Sequence, residues 1–311
     1  MSKKLVLILN PTAGQKQGKR FLADIITAFE EDDYACLVCV TRQRGEATGI
    51  AIRYAEEADL IVAIGGDGTL NEVISGLIQC GVPCPIGYIP AGSTNDLGNS
   101  LGLSRNLLQA ADGIIHGRIR GLDIGCFNGR YFTYTASFGA FTRASYSAPQ
   151  NLKNLLGHLA YLLEGVKDLL NIRPEHLRIE TDDGVFEGDY LFGTISNSTS
   201  LGGVLSLDES LVQLDDGLFE LLLISMPANL VELNQIISAL TTQKYDCDMI
   251  SFRSVRRARI LCSAEMPWTL DGEYQAGVEE VLVENLHRRI QIVLPTQQTQ
   301  SALPGDADDE F

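Results

Sequence analysis

Residues 65–69 read Gly-Gly-Asp-Gly-Thr and follow an apolar run, "LIVAI", at 60–64. Glycines leave backbone N–H groups uncovered, so such a turn can cradle an anion, and the helix that follows favours negative charge at its N-terminus. Thr69 is placed to cap that helix. Asp67 breaks the pattern. A carboxylate beside a phosphate repels it unless a cation lies between them, and Mg²⁺ is a hard ion that takes both sets of oxygens. The expectation is a nucleotide phosphate held by backbone amides, with Asp67 on the metal side. Alone, the stretch could equally be a tight strand-to-helix turn without a ligand. Two further turns argue against that. Asn10-Pro11-Thr12-Ala13-Gly14 leads to the cations Lys16, Lys19 and Arg20, and the turn beginning at Pro90 carries Ser93, Asn95 and Asp96. Asp123 adds another carboxylate. Far downstream, Asp271 and Glu273 flank Gly272. Two carboxylates either side of a glycine suit a general base with an acidic partner, although Asp-Gly is also the strongest hairpin signal.

The elements around these residues come in two kinds. "KKLVLILN", "YACLVCVT", "DLIVAIGG" and "CPIGYIP" are near-continuous apolar strands. They alternate with helical patterns at 18–31, 45–57 and 69–79, and two short helical segments follow. Such alternation predicts a parallel sheet with helices on both faces. Ligands of these sheets bind at the carboxyl ends of the strands, where Asn10, Thr41, Gly65 to Thr69 and Pro90 to Asn95 fall. After "RIRGLDIG" (118–125), strand-like runs follow at 129–138, 176–181, 185–197, 217–225, 251–262, 278–284 and 288–294. Asn128-Gly129, Asp183-Gly184 and Asp216-Gly217 punctuate them, which predicts a mainly antiparallel half. Helices are expected at 151–170 and at 228–241, the second opened by Met226-Pro227. The domains are therefore drawn at 1–125 and 126–295, with a polar, acidic, disordered tail at 296–311.

Composition narrows the function. The chain has 311 residues, 45% apolar, with 24 Lys and Arg against 40 Asp and Glu, a net charge of −16. That balance excludes a nucleic-acid partner, which needs a basic footprint. It also repels anionic membranes on average, so any bilayer contact must be local. The densest positive run is Arg253, Arg256, Arg257 and Arg259; the apolar helical face at 155–166 is the other candidate for lipid access. No segment approaches the ~20 apolar residues of a membrane span, and the N-terminus does not read as a signal peptide. The expectation is a cytoplasmic protein with transient membrane association. Cys36 and Cys39 form a C-x-x-C inside a strand, where they face opposite sides and cannot share a metal. The seven cysteines read as buried hydrophobes.

Five motifs carry a resemblance. They are Asn10-Pro11-x-x-Gly14, the run from Gly65 through Asp67, Leu70, Asn71 and Glu72 to Val73, Pro90-x-Gly92-Ser93-x-Asn95-Asp96, Leu122-Asp123-Ile124-Gly125 and Leu270-Asp271-Gly272-Glu273. Together they resemble the diacylglycerol kinase catalytic family, and within it the soluble bacterial lipid kinases. The resemblance covers about 4–294. GGDGT is shared with NAD kinases, but the chain lacks that family's N-x-G-x-x-G-F segment, and Asn71-Glu72 follow the loop directly. A non-catalytic regulator on a degenerate kinase scaffold would be expected to lose a metal carboxylate or the D-G-E, and none is missing.

The resemblance implies an N-terminal Rossmann-like nucleotide-binding domain, a C-terminal β-sandwich-like domain, and transfer of the ATP γ-phosphoryl to a lipid hydroxyl with Mg²⁺. It implies a nucleotide set of Asn10 to Gly14, Lys19, Arg20, Thr41, Gly65 to Glu72, Ser93 and Asn95. The catalytic base falls in the D-G-E, with Asp271 ahead of Glu273. Asp67, Asp96 and Asp123 match the carboxylates that carry the catalytic Mg²⁺. Asp216, with the backbone carbonyls of Gln213 and Leu218, matches a structural Mg²⁺ site; spacing alone favours a plain Asp-Gly turn. Diacylglycerol leads as the acceptor, presented at the inner membrane surface. Sphingoid bases and polyprenols remain open, as does a homodimer.

Overall fold

The computed structural model describes residues 2–139, 173–201, 205–207 and 211–296. The helix expected at 151–170 and all but the first residue of the expected tail lie outside them. The chain divides into two compact units, Met1–Gly121 together with Ile290–Phe311, and Leu122–Arg289.

The first unit holds a parallel sheet of β1 (Lys3–Leu9), β2 (Tyr34–Val40), β3 (Leu60–Gly65) and β4 (Ile86–Pro90), in the order β2-β1-β3-β4. Every residue of β3 and β4 is buried, because helices cover both faces and leave no side for polar groups. One face carries Leu5, Leu7, Leu9, Val62 and Ile64 under α2 (Leu22–Glu31) and α6 (Leu107–Ile115). Ile25 and Phe29, one helical turn apart on α2, are fully buried there and contribute about 1.5–3 kcal/mol each. α3 (Glu46–Tyr54) and α4 (Asp67–Cys80) pack together on the other face, burying Ala47, Ala51, Val73, Ile74 and Leu77. The chain leaves β1 toward β2 and returns on the other side to β3, so β1 and β3 flank the topological switch point.

The expected helix at 18–31 is broken. α1 (Gln17–Arg20) ends at Phe21, whose φ of −96° and ψ of 8° turn the chain before α2. α1 is held down by Gly18, where a Cβ would lie 2.9 Å from Ile64 and 3.0 Å from Leu9. After β4 comes α5 (Asp96–Ser100) and then α6, capped by the Asn106 side chain on the N–H groups of Leu108 and Gln109.

The second unit is mainly antiparallel. It contains most of β5 (Arg118–Phe127), then β6 (Arg130–Phe132), β7 (Thr135–Gly139), β8 (Glu175–Thr181), β9 (Val185–Ser196) and the short pair β10 (Ser200–Leu201) and β11 (Leu205–Ser206). β12 (Phe219–Ser225), β13 (Ile250–Val255), β14 (Arg257–Leu261), β15 (Trp268–Leu270), β16 (Glu273–Gln275) and the first part of β17 (Glu280–Leu294) complete it. β12 reads FELLLIS because both its faces are covered. Phe219, Leu221 and Leu223 enter a core with Phe127, Phe138 and Trp268, while Leu222 and Ile224 meet Leu233, Ile236 and Leu240 of α7 (Leu230–Thr242).

Several boundaries differ from expectation. The run at 129–138 is two strands, kinked at 133–134, and the run at 251–262 breaks at Arg256. Conversely, 278–284 and 288–294 are one strand, continued through Arg288 at φ 46°. α7 is opened by Asn229 rather than Pro227. Its side chain accepts from Val231 and Glu232 N–H, and Glu232 reaches back to accept from Ala228 N–H at 2.7 Å and Asn229 Nδ2 at 2.9 Å.

Candidate active site

Three turns meet at the carboxyl edge of the first unit's sheet. Asn10 leaves β1, its N–H donating to Ile64 O at 2.9 Å. Its Oδ1 accepts from Thr12 N–H and hydroxyl at 3.0 and 2.9 Å, and its Nδ2 donates to Thr69 Oγ1 at 3.2 Å. This corrects the expected helix cap. Thr69 lies inside the first turn of α4, which starts after Gly66, and its hydroxyl receives Asn10 instead.

The glycines do more than bare their N–H groups. A Cβ on Gly92 would lie 2.6 Å from both Gly66 Cα and Asn95 Oδ1, and one on Gly14 would lie 2.5 Å from Ala91 O. The three turns are therefore packed backbone to backbone, a closeness that side chains would forbid. Gly14 is also left-handed, at φ +49°. What remains exposed on this rim is Thr12, Gly14, Gly68, Ser93 and Thr94. Thr94 was not singled out by sequence, since the motif leaves the position between Ser93 and Asn95 unspecified.

Asp67 accepts from the backbone N–H of Asp96 at 3.0 Å and of Leu97 at 3.3 Å. It thus caps α5, whose own N-cap residue, Asn95, makes no side-chain cap. The cap role considered for Asp96 therefore belongs to Asp67; Asp96 itself is buried. Asn95 is left-handed at φ 54°, and its amide closes the turn by accepting from Gly92 N–H at 2.9 Å and donating to Gly92 O at 3.0 Å.

Three further members of the expected nucleotide set, Glu72, Asn71 and Thr41, make structural contacts. Glu72 accepts from Gly45 N–H at 2.7 Å and Ala47 N–H at 3.1 Å, capping α3 from α4. Asn71 accepts from Ser75 Oγ at 3.4 Å. Thr41 is buried, with its N–H and hydroxyl both on Leu9 O at 2.9 and 3.3 Å. Lys16, Lys19 and Arg20 are exposed around α1, the Arg20 guanidinium 5.4 Å from the Phe21 ring centre. Pro11 and Ala13 belong to the first of these turns, and Leu70 is buried within α4.

In the second unit, Asp271 and Gly272 form a two-residue hairpin between β15 and β16, with φ of 49° and 77° as a type I′ turn requires. Asp271 Oδ2 accepts from Thr133 N–H at 2.7 Å and hydroxyl at 2.9 Å; Oδ1 accepts from Tyr134 and Thr135 N–H at 2.9 and 3.1 Å. Those four donors explain the kink between β6 and β7. Burial pushes the Asp271 carboxyl above its usual range, and the backbone N–H bonds of 133–135 oppose that rise. Glu273 is half-buried and pairs with Arg130 at 2.8 Å; Arg130 also donates to Gln275 Oε1 at 2.8 Å.

Asp123 is fully buried and its carboxylate is enclosed. Oδ1 accepts from Arg288 N–H at 2.6 Å, and Oδ2 from Gly217 N–H at 2.6 Å and Asn285 Nδ2 at 3.2 Å. Asp216 Oδ1 accepts from Leu218 N–H at 2.9 Å, and Leu218 O accepts from Asn285 Nδ2 at 3.0 Å. Around this knot two buried amide oxygens, Asn197 Oδ1 and Asn285 Oδ1, have no donor among the described residues. Oxygens of this kind fit a hard divalent cation and its waters, the chemistry expected of Asp216 with the carbonyls of Gln213 and Leu218. Among the described residues no group of three or more His, Cys, Asp or Glu is gathered for a metal, so such an ion would rest on carbonyls and water. The seven cysteines are all free thiols. Among the described residues no helix is long and apolar enough to cross a membrane.

A doubly wound sheet with glycine turns at its switch point, followed by an antiparallel β unit, defines a phosphate-handling α/β class with a second domain. The profile of the diacylglycerol kinase catalytic domain matches residues 4–127. The diacylglycerol kinase of Bacillus subtilis (strain 168) is 37% identical over 303 residues, covering 96% of this chain and 98% of the relative. That of Staphylococcus saprophyticus is 33% identical over 297 residues, covering 95% and 96%. The crystal structure of a diacylglycerol kinase from Bacillus anthracis str. Sterne superposes with a TM-score of 0.73 at 20% identity, over 96% of this chain and 98% of that one. A second structure from the same organism gives 0.76 at 23%, over 94% and 97%. At those identities the structures speak for the fold alone. The chain belongs to the diacylglycerol kinase family and is an enzyme of the lipid-kinase class.

Proposed function

We propose that the chain transfers the γ-phosphoryl group of ATP, with Mg²⁺, to the hydroxyl of a membrane lipid, diacylglycerol first among them, giving phosphatidic acid. The observation that carries this reading is the rim of three glycine turns packed at the β1/β3 switch point, in a chain that matches named diacylglycerol kinases along almost its whole length. The turns at 10–14, 65–69 and 92–95 hold the phosphates through backbone N–H groups, aided by Lys19 and Arg20. Asp67 and Asp96 would supply acidic oxygens toward the catalytic Mg²⁺, and Asp216 with Gln213 and Leu218 toward the structural one; the Asp123 carboxylate, expected with the first pair, is taken up by Arg288, Gly217 and Asn285. When bound, Mg²⁺ neutralises charge on the phosphates. The lipid oxygen bonds to the γ-phosphorus as the bond to the β–γ bridging oxygen breaks, and its proton passes to Asp271, with Glu273 as the alternative acceptor. The enzyme would act from the cytoplasm at the inner membrane surface and as a phospholipid-synthesis enzyme.

The test is a radiolabelled ATP assay against mixed micelles of diacylglycerol, sphingoid base, ceramide and polyprenol, with NAD as a soluble acceptor. Label in phosphatidic acid, dependent on Mg²⁺, is the expected result. Label in NAD alone overturns the lipid assignment, and label in another lipid replaces diacylglycerol.

A further inference from the structure

We propose that Tyr88 is a positioning residue for the nucleotide: through Asn95 it fixes the shape of the turn that presents Ser93 and Thr94. The inference rests on the reading of this rim as the ATP site. Tyr88 lies in β4, two residues before the strand ends, and is fully buried. Its hydroxyl donates to Asn95 Oδ1 at 3.3 Å. That same oxygen accepts Gly92 N–H at 2.9 Å, while Asn95 Nδ2 donates to Gly92 O at 3.0 Å.

Asn95 needs the support. It occupies a left-handed conformation, φ 54°, which costs a non-glycine residue energy unless its surroundings hold it there. Three hydrogen bonds on one amide do so, and the one from Tyr88 comes from outside the turn. The ring supports the same turn from below. A Cβ on Gly98 of α5 would lie 3.3 Å from Tyr88 Cε1 and 3.1 Å from Pro90 Cγ, so α5 rests directly on the phenol and the proline. α5 in turn offers its first N–H groups to Asp67. Tyr88 therefore stands under both turns. Burial, and then the charges of Asp67 and Asp96, push its phenol well above the usual range, so it remains a hydrogen-bond donor at any working pH.

Replacing Tyr88 with Phe removes the donor and keeps the ring. The turn loses an external tie worth a modest hydrogen bond, and the exposed Ser93 and Thr94 lose their fixed presentation. The expected effect on Mg–ATP affinity is a weakening of roughly threefold to tenfold. The lipid KM should not change, because neither Tyr88 nor its partners lie in the second unit.

The experiment is calorimetric titration of Mg–ATP into the full chain, as wild type, Tyr88→Phe, Asn95→Gly and the double variant, with the KM for diacylglycerol in mixed micelles measured alongside. Glycine tolerates the left-handed position, so Asn95→Gly removes the amide without adding strain. Tyr88→Phe should weaken Mg–ATP with lipid KM constant, and should add nothing on the Asn95→Gly background. Equal Mg–ATP affinity in wild type and Tyr88→Phe overturns the inference, as does full additivity of the two changes. A wild type that binds no Mg–ATP instead overturns the function on which it rests. Should Tyr88→Phe fail to fold, Asn95→Gly carries the test by the same split between ATP and lipid, and an unaltered Mg–ATP affinity there sinks it.

Discussion

The carboxylate of Asp67 takes the N–H of Asp96 at 3.0 Å, across 29 residues of sequence. The carboxylate among the glycines thus has a partner inside the protein, and it ties the turn at 65–69 to the short helix α5. The metal role proposed for Asp67 and this structural role would fall on one side chain.

Replacing Asp67 with Ala should therefore act twice. Mg²⁺-dependent ATP binding should weaken, and the first turn of α5 should lose protection. Calorimetry with and without Mg²⁺, joined to amide hydrogen exchange at Asp96 and Leu97, separates the two. Unchanged ATP binding with faster exchange would leave Asp67 as a cap alone.

Asp271→Asn should lower turnover by at least ~100-fold. It should also destabilise, because an amide cannot accept from four donors and places its own N–H₂ against backbone N–H groups. The cost should be about 1–3 kcal/mol in urea unfolding. Glu273→Gln, which disturbs one half-exposed pair, should leave stability within ~1 kcal/mol. If Glu273→Gln is the variant that loses turnover while Asp271→Asn retains it, the proton acceptor is Glu273.

Glu220 sets a pH dependence. Burial, and then the charge of Asp216, raise its carboxyl to about 8. The folded chain holds this proton more tightly than the unfolded chain. The resulting stability is fully present below the unfolded value near 4.5 and is lost as pH rises through about 8. Glu220→Gln should remove that slope. Urea midpoints from pH 5 to 9, in chelator, should fall more steeply for wild type than for the variant, and parallel lines would show Glu220 to be ionised throughout.

Mg²⁺ should raise the melting temperature of the wild type even without ATP, since an ion that binds only the folded chain stabilises it. Asp216→Ala should abolish that rise. A rise that survives in the variant places the ion elsewhere.

The arginine run offers a membrane test. Arg259 already pairs with Glu280 at 2.7 Å and Glu180 at 3.2 Å, and Arg253 with Asp183 at 3.5 Å. Arg256 and Arg257 are the members to reverse. Each basic residue near an anionic surface contributes ~1 kcal/mol, screened over ~8 Å. The double change to Glu should lower co-sedimentation with anionic vesicles and raise the lipid KM while the ATP KM holds. Unchanged sedimentation would reduce the run to a solvated ladder.

The sheet of the first unit was legible because strands buried on both faces become unbroken apolar words, as in β3. β17 was not, because its middle, Asn285 to Arg289, is polar and turns at Arg288; a strand in two environments has no single period. The location of the candidate site was legible from glycine and aspartate types at strand ends. The division of labour within it was not. Nothing local says that Asp67 caps α5, that Glu72 caps α3 across 27 residues, or that Thr69 serves Asn10. Those roles depend on which turns become neighbours after folding.

β17 has a further meaning for the order of events during synthesis. Its last residues, from Ile290, belong to the first unit: Ile292 pairs with Ile86 of β4, and Val293 joins the core under α2 and α6. The second unit is thus an insertion within the first. A ribosome delivers four strands of the first unit's sheet early and then must translate 168 residues, Leu122–Arg289, before the fifth arrives. Until then β4 presents an open, apolar edge, ready to pair with any strand at hand. The nascent first unit waits on Ile290–Leu294, and a truncation before Ile290 would leave it permanently in that state.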